Sequence, residues 1–504
     1  MKRKRSIYNI AIGIISQLIA ISLGIVIPRL FLVSFGSEMN GLLNSIGQVL
    51  GYLALLEAGV GAASLQALYK PISCNDNNEI CRILASTNKY YHKTGIIYLI
   101  ALVLMSLIYP FVIKTDIEFF TITIIIVMNG LPSVVSYLFQ GKYVILLQAE
   151  GKNYINTALT SITSTLISIA KIALLLIGCN IIVIQLSYFL ISMSKVLFIA
   201  LYIKKNYTWI DLSERPNYEA ISQKNAALVN QICDLVFRNA DIVILSLFCD
   251  LKVVSVYAVY SLLFSMIRTA LDTVSKGFDF IMGQTYNRDP RNYVVLHDLY
   301  ETYRIALIFA LYNIAIVFII PFLRLYTAGV ADVYYFDYTI ALLFVVTFVL
   351  SGARACSADL INYAQHFKLT QSRCVIEAVI KITVSIALVY RLGIHGVLIG
   401  TIVALVYRAN DMVLYANRRL LKRGVWIVYR KWIINSILFT AITITTSILP
   451  WNLSSYLNIL GWACISGLVI VLLYFLIASV VDKGSYRAFK SYIKSLSVKL
   501  QTLN

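Results

Sequence analysis

Apolar runs of about 20 residues recur along nearly the whole chain, each bounded by a short polar stretch. At 1.5 Å per residue such a run covers a hydrocarbon layer of ~30 Å. Lipid offers the backbone no hydrogen-bond partner, so spanning runs of this kind must be helical. The period-two alternation that marks a transmembrane barrel is missing from the pattern. Read this way the chain predicts about fourteen spans, near 7–33, 39–64, 94–113, 117–146, 156–177, 181–203, 221–249, 253–282, 303–322, 334–356, 372–390, 394–415, 431–450 and 459–480. Charges interrupt the pattern most at 221–249 and 253–282. Between spans the longest polar stretches are 65–93, 204–220 and 283–302. None approaches the ~50 residues a separate catalytic domain needs. The first span is too long, and too poor in small residues at its end, for a removed signal peptide.

Composition agrees with a lipid environment. The 504 residues are 59% hydrophobic and 13% charged, whereas soluble domains carry about 25% charged residues. The net charge of +19 raises a second question, because basic chains often bind nucleic acid. Here the basic residues are sorted by side of the membrane. With the amino terminus inside, as Lys2, Arg3, Lys4 and Arg5 suggest, only Lys114, Lys252, Arg324 and Arg391 fall outside, against about thirty inside. The excess therefore sets topology. It predicts a multi-pass protein with both termini cytoplasmic and no nucleic-acid partner.

No CxxC pair occurs among the 8 cysteines, and the 4 histidines lie far apart, so no metal site is expected. Neither a nucleophile–base constellation nor a Gly-rich phosphate loop appears. The chain is not expected to be an enzyme, to hydrolyse ATP or to carry a cofactor. The 34 tyrosines suit interfacial belts. Gly130 and Pro132 predict a bend in the fourth span.

The chain also repeats. Ala149 to Gly178 lies on Ala364 to Gly393 without a gap at a shift of 215 residues, and the same shift carries Glu57 onto Asp272. Six spans return a chain to the same side, so spans 1–6 and 7–12 form a parallel repeat, a recurrent transporter construction. The expected divisions are an N-lobe at 1–205, a linker at 206–220, a C-lobe at 221–417, a basic loop with two further spans at 418–480, and a tail at 481–504.

Charges inside spans are the candidate chemistry, since each costs roughly 2.5–3.5 kcal/mol at the bilayer centre. They include Arg29, Glu57, Lys171 and Lys195, the close pair Arg238 and Asp241, and, in spans 11 and 12, Glu377, Lys381, Arg408 and Asp411. Span 8 carries Arg268, Asp272, Lys276 and Asp279 at spacings that share one helical face. Two readings stand for that stripe: a salt-bridge ladder joining helices, or the wall of a hydrated cavity. Arg238 and Asp241 could pair with each other, as could Arg408 and Asp411, and Arg29 could snorkel to an interface. If Arg29, Arg238, Arg268, Lys276, Lys171 and Lys381 face one cavity, it suits a large anionic ligand, because guanidinium and ammonium groups bind phosphate strongly where water is excluded. Glu57, Asp272 and Asp241 are then candidates for coupling to a proton or sodium ion.

At this point the chain resembles bacterial polysaccharide flippases of the multidrug/oligosaccharidyl-lipid/polysaccharide exporter superfamily. The likeness rests on S-I-Y-N-I-A at 6–11 with I-P-R-L-F-L at 27–32, F-G-S-E-M-N-G-L at 35–42 and L-L-E-A-G-V-G-A-A at 55–63. R-N-A-D-I-V-I-L-S at 238–246 and G-I-H-G-V-L-I-G-T at 393–401 continue it. The resemblance implies two six-helix lobes in a V around a central cationic cavity, in the bacterial cytoplasmic membrane. It further implies translocation of undecaprenyl-diphosphate-linked oligosaccharide repeat units between leaflets by alternating access. Arg29, Arg238 and Arg268 would contact the diphosphate or acidic sugars. Partners would be the lipid-linked substrate, the bilayer, a polysaccharide polymerase and glycosyltransferases. A cation-coupled drug or metabolite antiporter of the same superfamily is the alternative. A membrane-embedded glycan polymerase fits less well, because outer loops of about a dozen residues leave no room for its catalytic groups.

Overall fold

In the computed structural model, residues 2–57, 60–218, 224–366, 369–449, 451 and 453–491 are described, with side chains described from residue 23 onward except at 62, 224–231, 280 and 287. Ala58 and Gly59 of the E-A-G-V-G stretch, the linker end 219–220, the start of the seventh span at 221–223, Lys368 and the tail beyond 491 lie outside these residues.

Among the described residues every regular element is a helix, and the one extended pairing is an isolated bridge between Lys114 and Asp250. The first unit holds α1 (Lys2–Leu53), α2 (Val60–Cys74), α3 (Asn77–Val112), α4 (Phe119–Val135), α5 (Gly141–Ala149), α6 (Asn153–Ile177), α7 (Ile181–Asn206) and α8 (Lys224–Phe248). Then follow α9 (Leu251–Arg288), α10 (Pro290–Tyr326), α11 (Tyr338–Ala353), α12 (Ala355–Tyr363), α13 (Gln371–Leu392), α14 (Ile394–Tyr415), α15 (Trp426–Ser447) and α16 (Tyr456–Val481). Ten described helices or joined pairs are long and apolar enough to cross a membrane, counting α4 with α5 and α11 with α12. The first two expected spans fall on α1 and its continuation, broken at Gly36, whose φ of 78° leaves the helical region. The expected spans at 221–249 and 372–390 are the helices α8 and α13, each threaded by charges. Phe111, Ile177, Ile448 and Leu457 stand more than three-quarters exposed on these helices, an apolar surface that only lipid covers at low cost. This is a multi-pass membrane protein.

Contacts divide the chain into two units, Met1–Val256 and Tyr257–Asn504. In the first, α1 packs on α6 and α8, α3 on α4, α4 on α7, and α6 on α7. In the second, α10 is the central post, touching α11, α15 and α16, while α14 packs on α13 and α11. The segments that repeat in sequence end alike. α6 stops at Ile177 before Gly178 and α13 at Leu392 before Gly393, both glycines with positive φ. The turns ahead of them also share a bond pattern, with Lys152 N–H donating to Leu147 O and His366 N–H to Ile361 O.

The bend expected at Gly130 and Pro132 is distributed. α4 runs through Pro132 and then widens into a π turn at Ser136–Gln140 before α5 begins. The missing proline N–H loosens the ladder ahead of that turn, and π turns recur at functional sites.

Candidate functional site

In the first unit the π turn turns Ser133, Ser136 and Gln140 onto one face. Opposite them α6 presents Thr160, Thr163, Ser164 and Ile167, and α7 presents Tyr188, Ser192, Lys195 and Val196, again at spacings of three and four. Glu57, at the end of a 3-10 turn, Ala54–Glu57, closes the ring. The result is a chamber of about 370 Å³ walled by hydroxyls, with one carboxylate and one ammonium. Tyr91 donates its phenol to Glu57 Oε1, and the Tyr137 phenol also hydrogen-bonds this carboxylate. Gln140 is 4% exposed, and its Oε1 has no hydrogen-bond partner. Lys171 lies next to this chamber, its ammonium 5.1 Å from the Tyr188 ring centroid and 5.8 Å from that of Phe31.

In the second unit a smaller cavity of about 70 Å³ is lined by Arg268 and Asp272 of α9, Arg304 and Tyr312 of α10, and residues of α11. Arg268 Nε stands 3.6 Å from Asp272 Oδ2, a loose and partly open pair. Arg304 donates from Nη1 to Asp359 Oδ2 at 2.8 Å and to Tyr300 Oη at 3.0 Å, and its Nε is buried without a partner. Asp279, lower on the span 8 stripe, accepts from the Tyr363 hydroxyl at 3.1 Å, and Lys276 is exposed. Along the stripe, then, Asp279 bonds to a neighbouring helix, Arg268 and Asp272 pair within α9 beside the small cavity, and Lys276 is exposed.

Other sequence candidates are placed apart from these cavities. Arg238 pairs with Asp234, one turn earlier on α8, a partner that the close spacing to Asp241 had obscured. Asp241 is 3% exposed and Lys381 is 1% exposed, while Arg29 is half-buried in α1. Arg408 and Asp411 do pair, at 2.6 Å, but within a larger buried network. Arg354 reaches Glu377 at 2.6 Å, Arg373 reaches Asp411 at 2.6 Å, and Arg408 Nη2 donates to Cys374 Sγ at 3.0 Å.

A further cluster escaped the sequence. His297, Asp298 and Glu301 bring potential metal ligand atoms within 4.8 Å of one another. Arg423 already pairs with Asp298, and Lys431 Nζ lies 3.0 Å from Glu301 Oε2. Two cations so close oppose a third positive charge, which makes the group an ion-pair network. Arg304, Arg423 and Lys431 read in sequence as inside-loop cations. Their one available signal was a carboxylate on a neighbouring helix, Asp359 or Glu301, which spacing alone does not connect.

No protein-family model and no curated sequence matches the chain. Solved structures do. The lipid II flippase MurJ in an inward closed conformation aligns with a TM-score of 0.69 at 13% identity, over 95% of this chain and 99% of that one. An inward-facing multidrug resistance MATE family transporter of the MOP superfamily gives 0.64 at 13% identity, over 84% and 96%. A MATE in a bent conformation gives 0.53 at 14%, over 86% and 95%. At these identities the likeness is one of fold, and the chain has the fold of the MOP-superfamily transporters.

Proposed function

We propose that the protein is a flippase that moves undecaprenyl-diphosphate-linked oligosaccharide repeat units from the inner to the outer leaflet of the bacterial cytoplasmic membrane. Alternating access would be driven by a proton or sodium gradient. The observation that carries this reading is the cavity of the second unit, where Arg268 and Arg304 line one space and a buried guanidinium N–H lacks a partner. Forked donors of this kind match phosphate oxygens. The alignment with the lipid II flippase also runs over 95% of this chain, against 84% for the MATE transporter. In this reading glycosyltransferases supply the substrate and a polymerase consumes it.

The second reading, a cation-coupled drug or metabolite antiporter, draws on Glu57 in a hydrophilic chamber where carboxylate and ammonium balance. One experiment separates the two. A strain lacking the protein should accumulate lipid-linked repeat units, and the wild-type chain should clear them. Arg268→Ala should leave protein levels normal and abolish clearance. Clearance by Arg268→Ala would remove Arg268 from the substrate path, and a strain with no accumulated intermediate would overturn the flippase.

A further inference from the structure

We infer that the chamber of the first unit is a subsite for an uncharged sugar ring, a deepening that rests on the flippase reading. Size excludes a bare ion as the occupant the walls are built for. At about 30 Å³ per water, 370 Å³ holds roughly a dozen water molecules, far more than a dehydrated cation fills. The volume falls instead in the 300–1,000 Å³ range of small-molecule sites. The wall itself offers phosphate no net positive charge, since the Lys195 ammonium is matched by the Glu57 carboxylate and Lys171 beside it faces the Tyr188 and Phe31 rings. A wholly apolar occupant would leave polar groups unmet, because eight hydroxyl-bearing side chains stand on this wall beside Pro132, Ile167 and Val196.

What remains is a neutral ligand several atoms across that both donates and accepts hydrogen bonds. The walls supply the complement. Gln140 Oε1 is a buried acceptor with nothing to accept from, a condition that normally points to a missing partner. Glu57 offers further acceptor capacity, since its Oε1 is held in place by the Tyr91 phenol. Lys195 is a donor, Thr163 and Ser192 can do either, and Tyr188 adds a ring face beside them. Hydroxyls spread around a ring, each able to donate and accept, are the ligand chemistry that satisfies such a wall. On the flippase reading, the occupant of this chamber is one sugar of the lipid-linked substrate.

The test uses the full chain in lipid nanodiscs and a panel of free hexoses, N-acetylhexosamines and disaccharides, observed by saturation-transfer NMR. At least one sugar should bind saturably. Gln140→Leu, which removes the unpaired acceptor, should weaken that binding roughly tenfold. Thr163→Val guards against a folding artefact, and it should weaken the same sugar while the protein elutes as wild type on size exclusion. Absence of saturable binding by any sugar overturns the inference, as does binding that both variants retain in full. A response of the chamber tyrosines to sodium or pH alone, with no sugar effect, also overturns it. Because free sugars need no translocation, these outcomes do not depend on whether repeat units accumulate in the deletion strain.

Discussion

Lys431 stands 3% exposed with its ammonium 3.0 Å from Glu301 and 3.8 Å from Asp482, so α15 enters the second unit carrying a charge that must be met there. Breaking a buried pair leaves the other charge stranded, which typically costs about 3–5 kcal/mol. Lys431→Met should therefore lower the melting temperature in detergent, and adding Glu301→Gln should recover most of the loss. A double-mutant cycle that finds the two changes additive would show that the pair is not coupled. Asp482, just past the end of α16, gives a pH signature at the same spot. Burial pushes its carboxyl up, but the Ser485 N–H and hydroxyl, the Thr302 hydroxyl and the Lys431 ammonium outweigh it and hold the carboxyl below its ordinary 3.8. A carboxyl depressed on folding stabilises fully above its unfolded value and loses that contribution as pH falls through the folded one. The stability gap between wild type and Asp482→Asn should hold steady between pH 5 and 7 and close below about pH 4. A gap that widens in acid would contradict the sign.

Among the elements, the meeting of α1 with the α8–α9 corner shows how closely two helices can be set. Asn40 Nδ2 donates to Ser255 Oγ at 2.7 Å, and a Cβ on Gly41 would lie 1.9 Å from Leu251 O, a backbone atom that cannot rotate away. Gly41→Ala should cost about 1–3 kcal/mol through overpacking, read as a lower melting temperature. An unchanged melt would mean that the corner gives way freely. The elements were legible in the sequence wherever solvent dictates the pattern. Apolar runs of spanning length must be helices in lipid, so α6, α7 and α16 could be read directly, whereas α3 begins at Asn77, well ahead of the expected start at 94, and the gap between the first two expected spans holds the break at Gly36. The site was legible only in part. Mid-span charge picked out Glu57 and Arg268, because a charge retained at that depth needs a reason. Gln140 and the hydroxyl wall carried no such signal, since Ser, Thr and Gln are tolerated almost anywhere on a helix. Arg304 was hidden differently, for its partner Asp359 lies on another helix and periodicity reports only along one.

For the whole molecule, the sorting of basic residues makes a claim about direction. Arg304, Arg354, Arg373, Arg423 and Lys431 are spent in ion pairs within the second unit, so they are weaker topology determinants than their number suggests. Without them about twenty-five basic residues still stand on one side, against Lys114, Lys252, Arg324 and Arg391 on the other. An imbalance of that size keeps its sign under any plausible error in span boundaries. The polar stretch after α2 should therefore be cytoplasmic and the one after α3 external. Cys74, exposed in the first, and Lys114, exposed in the second, make the measurement possible. In a cysteine-free background, Lys114→Cys should react with an impermeant maleimide on intact cells. Cys74 retained alone should react only after the membrane is opened. The reverse pattern would turn the protein over in the bilayer. With its basic face outside, the protein would meet the substrate of the proposed flippase from the wrong leaflet, and that proposal would lose its physical basis.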